Sequence, residues 1–228
     1  MAVKSVNGPS LCGFNQCLDF IASFLHRVLT GKSGCRDGPS GYLGVSEDAM
    51  LNQITTPRPA NQAAEDALDL LIGCHERIRH FTATANKLAH AKSASAFEIR
   101  QTADGVYRYY SVSLPLHETD EEVTVRPRLD AVADARVRHA LAAMHVQHLA
   151  IDELLERLLP LLQLVERNPA ALEETGGEMC AITKALDEVF GAHLQLEEEV
   201  IFPVIRQALS EQARSEMLAE MKARRKQG

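Results

Sequence analysis

The 228-residue chain is long enough for one well-filled domain plus an appendage and too short for two large domains. Hydrophobic residues make up 46% and charged residues 24%, as in soluble globular proteins, and the absence of Trp argues against a large aromatic ligand box. A formal net charge of −7 opposes binding to phosphate backbones, so nucleic acid is not an expected partner.

Residues 1–60 read as a leader, mostly irregular and poorly ordered, punctuated by Gly8, Gly13, Gly31, Gly34, Gly38, Gly41 and Gly44 and closed by Pro57-Arg58-Pro59. Within it Leu18, Ile21, Leu25, Val28 and Leu29 allow one short amphipathic helix. Gly31-Lys32-Ser33 looks like the end of a phosphate-binding loop, but His26 stands where that loop needs glycine, and the reading is discarded. Gly8, Pro9 and Asp19, with His26 and Arg27 interrupting the apolar stretch, argue against an export signal. No apolar run approaches the roughly 20 residues needed to span a bilayer, so no membrane partner is expected.

From Asn61 to the end, residues 61–228, the pattern has helical period and no strand-like alternation. A first helix is expected over about 62–90, with Leu68, Leu71, His75, Ile78 and Thr82 on one stripe. Ser95-x-x-Glu98 is a capping box that starts a second helix, which places Val106, Tyr110, Ser113, His117 and Glu121 on one side before Arg126-Pro127-Arg128 ends or bends it. The third carries Leu141, Met144, His148, Ile151, Leu155, Leu158 and Leu162, with a kink expected at Pro160. Asn168-Pro169 marks a turn, and Thr175-x-x-Glu178 reads as a capping box opening a fourth helix with Met179, Ile182, Leu186, Val189, His193, Leu196 and Val200 inward. An extra C-terminal helix begins near Ser210, and Lys222, Arg224, Arg225 and Lys226 complement its negative end.

One motif is written twice. His193 follows His117 by 76 residues, as Glu197 follows Glu121 and Pro203 follows Pro127. Residues four apart on a helix share a face, so each pair aims an imidazole and a carboxylate at one place. His75 and His148 sit mid-seam on the other two helices. The sequence midpoints between successive histidines fall at or near the expected turns, so all four imidazoles can share one level of an up-down-up-down four-helix bundle. Four imidazoles and two carboxylates in a dry core would cost several kcal/mol per uncompensated charge, about what a bound cation relieves. The five cysteines, Cys12, Cys17, Cys35, Cys74 and Cys180, are scattered and off the histidine faces, which argues against a zinc ribbon or a disulfide framework and fits a reducing cytoplasm. Imidazole-rich donor sets suit iron, copper or zinc. Six donors fit two ions better than one, leaving about two octahedral positions open to a small diatomic ligand.

The segments Leu71-Ile72-Gly73-Cys74-His75-Glu76, Leu114 to Glu122 around His117, Gln147 to Asp152 around His148, and Ala192 to Pro203 around His193 carry a resemblance to the hemerythrin-like, or HHE cation-binding, family, covering roughly residues 62–205. The resemblance implies two non-haem iron ions joined by an oxo or hydroxo bridge, ligated by His75, His117, Glu121, His148, His193 and Glu197, the glutamates bridging. It implies a protein that binds O2 or a related diatomic as a sensor, scavenger or iron handler. It also admits a stress protein that reduces small oxidants or repairs iron–sulfur centres. A structural or zinc-binding interaction module is the third reading. No catalytic acid or base stands out, so an enzyme is not the favoured reading, and no protein partner is indicated. One departure is visible: oxygen-carrying hemerythrins pair two histidines four apart on the third helix, whereas Met144 and Asp152 flank His148 here. Asp152 and His145 are the candidates to complete the site.

Overall fold

The computed structural model describes residues 66–132 and 134–226, and among these every regular element is helical, in agreement with the expected class. The leader assigned to 1–60, its short helix and the first residues of the helix expected from 62 lie outside the described residues. No described helix is long and apolar enough to cross a membrane.

Helix α1 (Ala67–Ala89) opens on a capping box, with Asp66 accepting from the Leu68 N–H and Asp69 accepting from the Asp66 N–H, both at 3.2 Å. The second box is where the sequence puts it: Ser95 Oγ accepts from the Glu98 N–H at 3.2 Å and Glu98 accepts from the Ser95 N–H at 2.9 Å. The stretch that follows runs on to Asp130 as α2 (Ala96–Arg108), α3 (Leu114–Thr119) and α4 (Arg126–Asp130), joined by π-turns at Tyr109–Ser113 and Asp120–Val125. Helix α5 (Ala135–Arg167) passes through Pro160 unbroken. A 3₁₀ turn, Pro169–Ala171, leads into α6 (Leu172–Leu196), a third π-turn at Glu197–Ile201 and α7 (Phe202–Ala208). Helix α8 (Glu211–Arg224) is capped by Ser210, as expected.

Two expectations are corrected. Thr175 does not open the fourth helix: Pro169, pre-set for a first turn, starts it earlier, and the Thr175 hydroxyl donates back to the Ala171 carbonyl at 2.9 Å within it. Pro127 does not end the second helical stretch either. Leu114, Arg126 and Phe202 each donate their N–H five residues back, to the carbonyls of Tyr109, Glu121 and Glu197, and each is followed by a proline, Pro115, Pro127 or Pro203. A proline ring crowds the carbonyl four residues before it and has no N–H to offer, and widening the preceding turn to π geometry relieves both problems without ending the helix. Each π-turn also slips the helical phase by a residue. That is why Ser113 is exposed and Leu114 buried, and why Val200 is only half-buried beside the enclosed Ile201; Leu196, ahead of the slip, is half-buried because the buried face steps from His193 to Glu197.

Helices α1 and α5 each pack against both α2 and α6. The predicted seams meet between them: Leu71, Ile78, Met144, Leu158, Ile182 and Leu186 are all fully enclosed, each such side chain contributing about 1.5–3 kcal/mol of transfer free energy. Helix α8 lies on α1 and on the Asp120–Val125 turn, with Met217 and Met221 fully buried among Leu68, Leu71 and Leu129. Arg224 and Arg225 do more than complement the end of α8, because both reach across to the carboxylate of Asp120.

Candidate metal centre

The seams bring His75 from α1, His117 from α3, His148 from α5 and His193 from α6 to one buried level, together with Glu121 and Glu197 from the two π-turns; none of the six is more than 4% exposed. Donor atoms of His75, His117, Glu121 and Glu197 all lie within 4.8 Å of one another, and so do those of Glu121, His148 and His193. Glu121 is common to both groups, so the two groups adjoin through one carboxylate. Glu197 stands 3.9 Å from His193 Nε2, close enough to face the second group as well.

Contact distances within the cluster are short. His75 Nε2 is 2.9 Å from Glu197 Oε2, His148 Nε2 is 3.0 Å from Glu121 Oε2, and His117 Nε2 is 2.8 Å from Glu121 Oε1. The last pair is not aligned as a hydrogen bond. Both atoms, with His117 Nδ1 and Glu197 Oε1, are buried and have no hydrogen-bond partner among the described residues. Buried polar atoms left this way are costly, and lone pairs that converge without facing each other are what a shared cation needs.

The electrostatics agree. Burial, joined by the charge of Glu121, pushes Glu197 up to about 7. Burial works the same way on Glu121, but His117, His148 and His193 together outweigh it and hold that carboxyl well below its ordinary range. Burial also opposes charge on His117 and His148, yet Glu121 lifts the first well above its usual value and the second to about 9. His193 falls to about 3 through burial. Without a cation, the pocket accommodates two carboxylates only by sharing protons unevenly among its own donors. The donor set and its orphaned atoms therefore fit a resident metal.

Three of the imidazoles are held from behind. Glu198 Oε1 faces His75 Nδ1 at 2.8 Å and also accepts from Arg79 at 2.8 Å; Glu122 Oε1 faces His148 Nδ1 at 3.0 Å while Glu122 Oε2 accepts from Arg126 at 2.7 Å; Gln147 Oε1 faces His193 Nδ1 at 3.2 Å. Such partners fix ring orientation and raise the donor strength of the other nitrogen. Sequence reasoning missed them, although the signal was present: the duplicated unit is His-x-x-x-Glu-Glu, and Glu198 follows Glu122 by the same 76 residues.

Residues 66–205 match the model of the hemerythrin HHE cation-binding domain. The chain belongs to this family. No curated protein matches it. Within the hemerythrin HHE framework, neither candidate for the missing imidazole reaches the centre. Asp152 is exposed and lies in neither donor group, and His145, also exposed, turns its Nδ1 to Glu122 at 3.2 Å. Asp152 and His145 both lie off the seam of α5, which runs from Met144 and His148 on through Ile151, Leu155 and Leu158. Cys74, although buried, is outside both groups and faces Arg77 at 3.0 Å.

Proposed function

We propose that the chain is a non-haem di-iron protein that binds O2 or a related diatomic as a sensor, scavenger or iron handler, with His75, His117, Glu121, His148, His193 and Glu197 as ligands. The observation that carries this reading is the pair of buried donor groups that share Glu121. Four imidazoles and two carboxylates, with no cysteine among them, suit iron better than the thiolate-favouring structural zinc sites. Supporting the up-down-up-down bundle is the ring of packing between α1, α2, α5 and α6 with short connections between successive stretches.

Iron bound there supplies redox-active positions open to a small ligand. The protein's part is orientation and exclusion of water. Phe202 stacks on the His75 ring at a centroid distance of 5.1 Å, and Met144, fully buried, occupies one of the two positions four residues from His148 at which the paired histidine of the oxygen carriers could have stood. With one histidine fewer, the pocket has a donor position to spare, which favours a more open or labile site over stable transport.

Protein purified without added metal should contain about two irons per chain, with charge-transfer absorption in the near ultraviolet that responds to O2 or nitric oxide. His117→Ala and His193→Ala should each lose most of the metal and its stabilising effect on unfolding. Iron content equal to the parent in both variants would refute the ligand assignment, and stoichiometric zinc without iron would favour the interaction-module reading.

A further inference from the structure

Asp120 is fully buried, adjoins Glu121 in the chain, and belongs to neither donor group. Its carboxylate is taken from the opposite side by helix α8: Arg225 Nη2 donates to Oδ2 at 2.6 Å and Arg224 Nη1 donates to Oδ1. Arg224 also donates to the Thr124 hydroxyl, in the same π-turn. The Arg225 guanidinium lies 3.7 Å from Cys74 Sγ as well, so one side chain touches the residue before His75 and the residue before Glu121. A carboxylate this enclosed has its oxygens satisfied by these donors from α8. The two arginines, at the very end of α8, thus tie that helix to the residue before Glu121. Helix α8 lies beyond residue 205, where the family match ends.

We propose that α8 is a positioning element of the metal site: by holding Asp120 from outside, Arg224 and Arg225 fix the π-turn that presents Glu121 and slow the release of metal. This rests on the cation-binding reading above. Because Glu121 belongs to both donor groups, a shift of its turn disturbs both cation positions at once. A second group of polar ties centres on Glu220 of α8, which also accepts from the Thr124 hydroxyl at 3.1 Å, and it has a different geometry. Arg128 donates to Glu220 at 2.7 Å and to the Thr124 carbonyl at 2.9 Å, and it touches neither Asp120 nor Cys74. It fastens the same helix without gripping the residue next to the ligand.

The test uses the full chain loaded with iron and follows transfer of the metal to an excess of chelator. Arg225→Ala should release iron about tenfold faster than the parent, the lower end of the usual cost of losing an outer partner of a metal site. It should shift the near-ultraviolet absorption while leaving helix content unchanged, and Arg225→Lys, which keeps one charged donor, should recover most of the difference. Arg128→Ala should behave as the parent in both rate and spectrum. Release from Arg225→Ala at the parental rate overturns the proposal, and so does equal acceleration in Arg128→Ala, since α8 would then matter only as packing. Should Arg225→Ala fail to fold, Asp120→Asn, which removes the charge the arginines hold, must show the same acceleration and spectral shift, and parental behaviour overturns the proposal equally. A parent chain that takes up no iron overturns the cation-binding reading and this proposal together, an outcome distinct from a loaded parent and an unaffected variant.

Discussion

Glu198→Ala isolates the support behind a single imidazole. The His75 ring is fully buried, and Glu198 is the acceptor at its Nδ1, 2.8 Å away. Leaving a buried donor without a partner costs about 1–3 kcal/mol, which corresponds to about 5- to 150-fold in affinity for a ligand that needs the ring in place. The Glu198 side chain is 36% exposed, so water can enter the vacated space and the cost falls in the lower half of that range, about tenfold. The assay is competition for iron against a chelator of known affinity. Glu198→Gln, which keeps an acceptor oxygen, should lose less. Glu199→Ala is the control: it removes a carboxylate from the same acidic triplet, but Glu199 is exposed and bonds to Gln195 on the surface. Unchanged affinity in Glu198→Ala, or an equal loss in Glu199→Ala, would show that bulk negative charge, not the contact to His75, sets the affinity. Glu122→Ala should repeat the effect through His148.

Three further outcomes are expected. Pro203→Ala restores a backbone N–H and removes the ring that forces the Glu197–Ile201 turn open, so metal-free protein should melt at a higher temperature while iron retention falls; movement of both in one direction would count against the π-turn as a device for presenting Glu197. Asp152→Asn should leave iron content and spectrum unchanged because the side chain is exposed and outside both donor groups, and a spectral shift would return it to the coordination sphere. Gly176→Ala places a Cβ 2.9 Å from the Ala89 carbonyl oxygen, where α6 crosses the end of α1. That clash is with backbone, so a loss of about 1–3 kcal/mol is expected in denaturant titration, and parental stability would mean that the two helices can part without cost.

The histidine faces were legible because a period of 3.6 persists through α1, α5 and α6, and because the duplicated spacing of 76 makes chance coincidence implausible. What the sequence reading lost, it lost at the π-turns. An i→i+5 bond has no period of its own and shows only as a phase slip, which is why Ser113 and Val200 were expected inward and Leu114 and Ile201 were overlooked. The prolines at 115, 127 and 203 were the available clue, but they read as stops until a wider turn is considered. Thr175 misled for a related reason: an S/T-x-x-E pattern signals a helix start only when no earlier start exists, and Pro169 provided one. Asp152 could not be placed from spacing alone, because a seam can step three or four residues on from His148, and here it takes Ile151 inward and leaves Asp152 exposed.

The six converging side chains lie nearer one end of the packed helices, with an apolar cluster that includes Leu141, Ile205, Met217 and Met221 beyond them. Toward the other, cohesion comes from ordinary apolar packing and from a buried Thr82–Tyr110 hydroxyl contact at 3.1 Å, neither of which involves the pocket. The described helices thus have an end that packs without the pocket and a level around the pocket whose firmness depends on its cargo. Stripping the ion should loosen amide protection around His75, His117, His148 and His193 while the far half keeps its own, so that occupancy is written into the protein as a gradient of rigidity along its length.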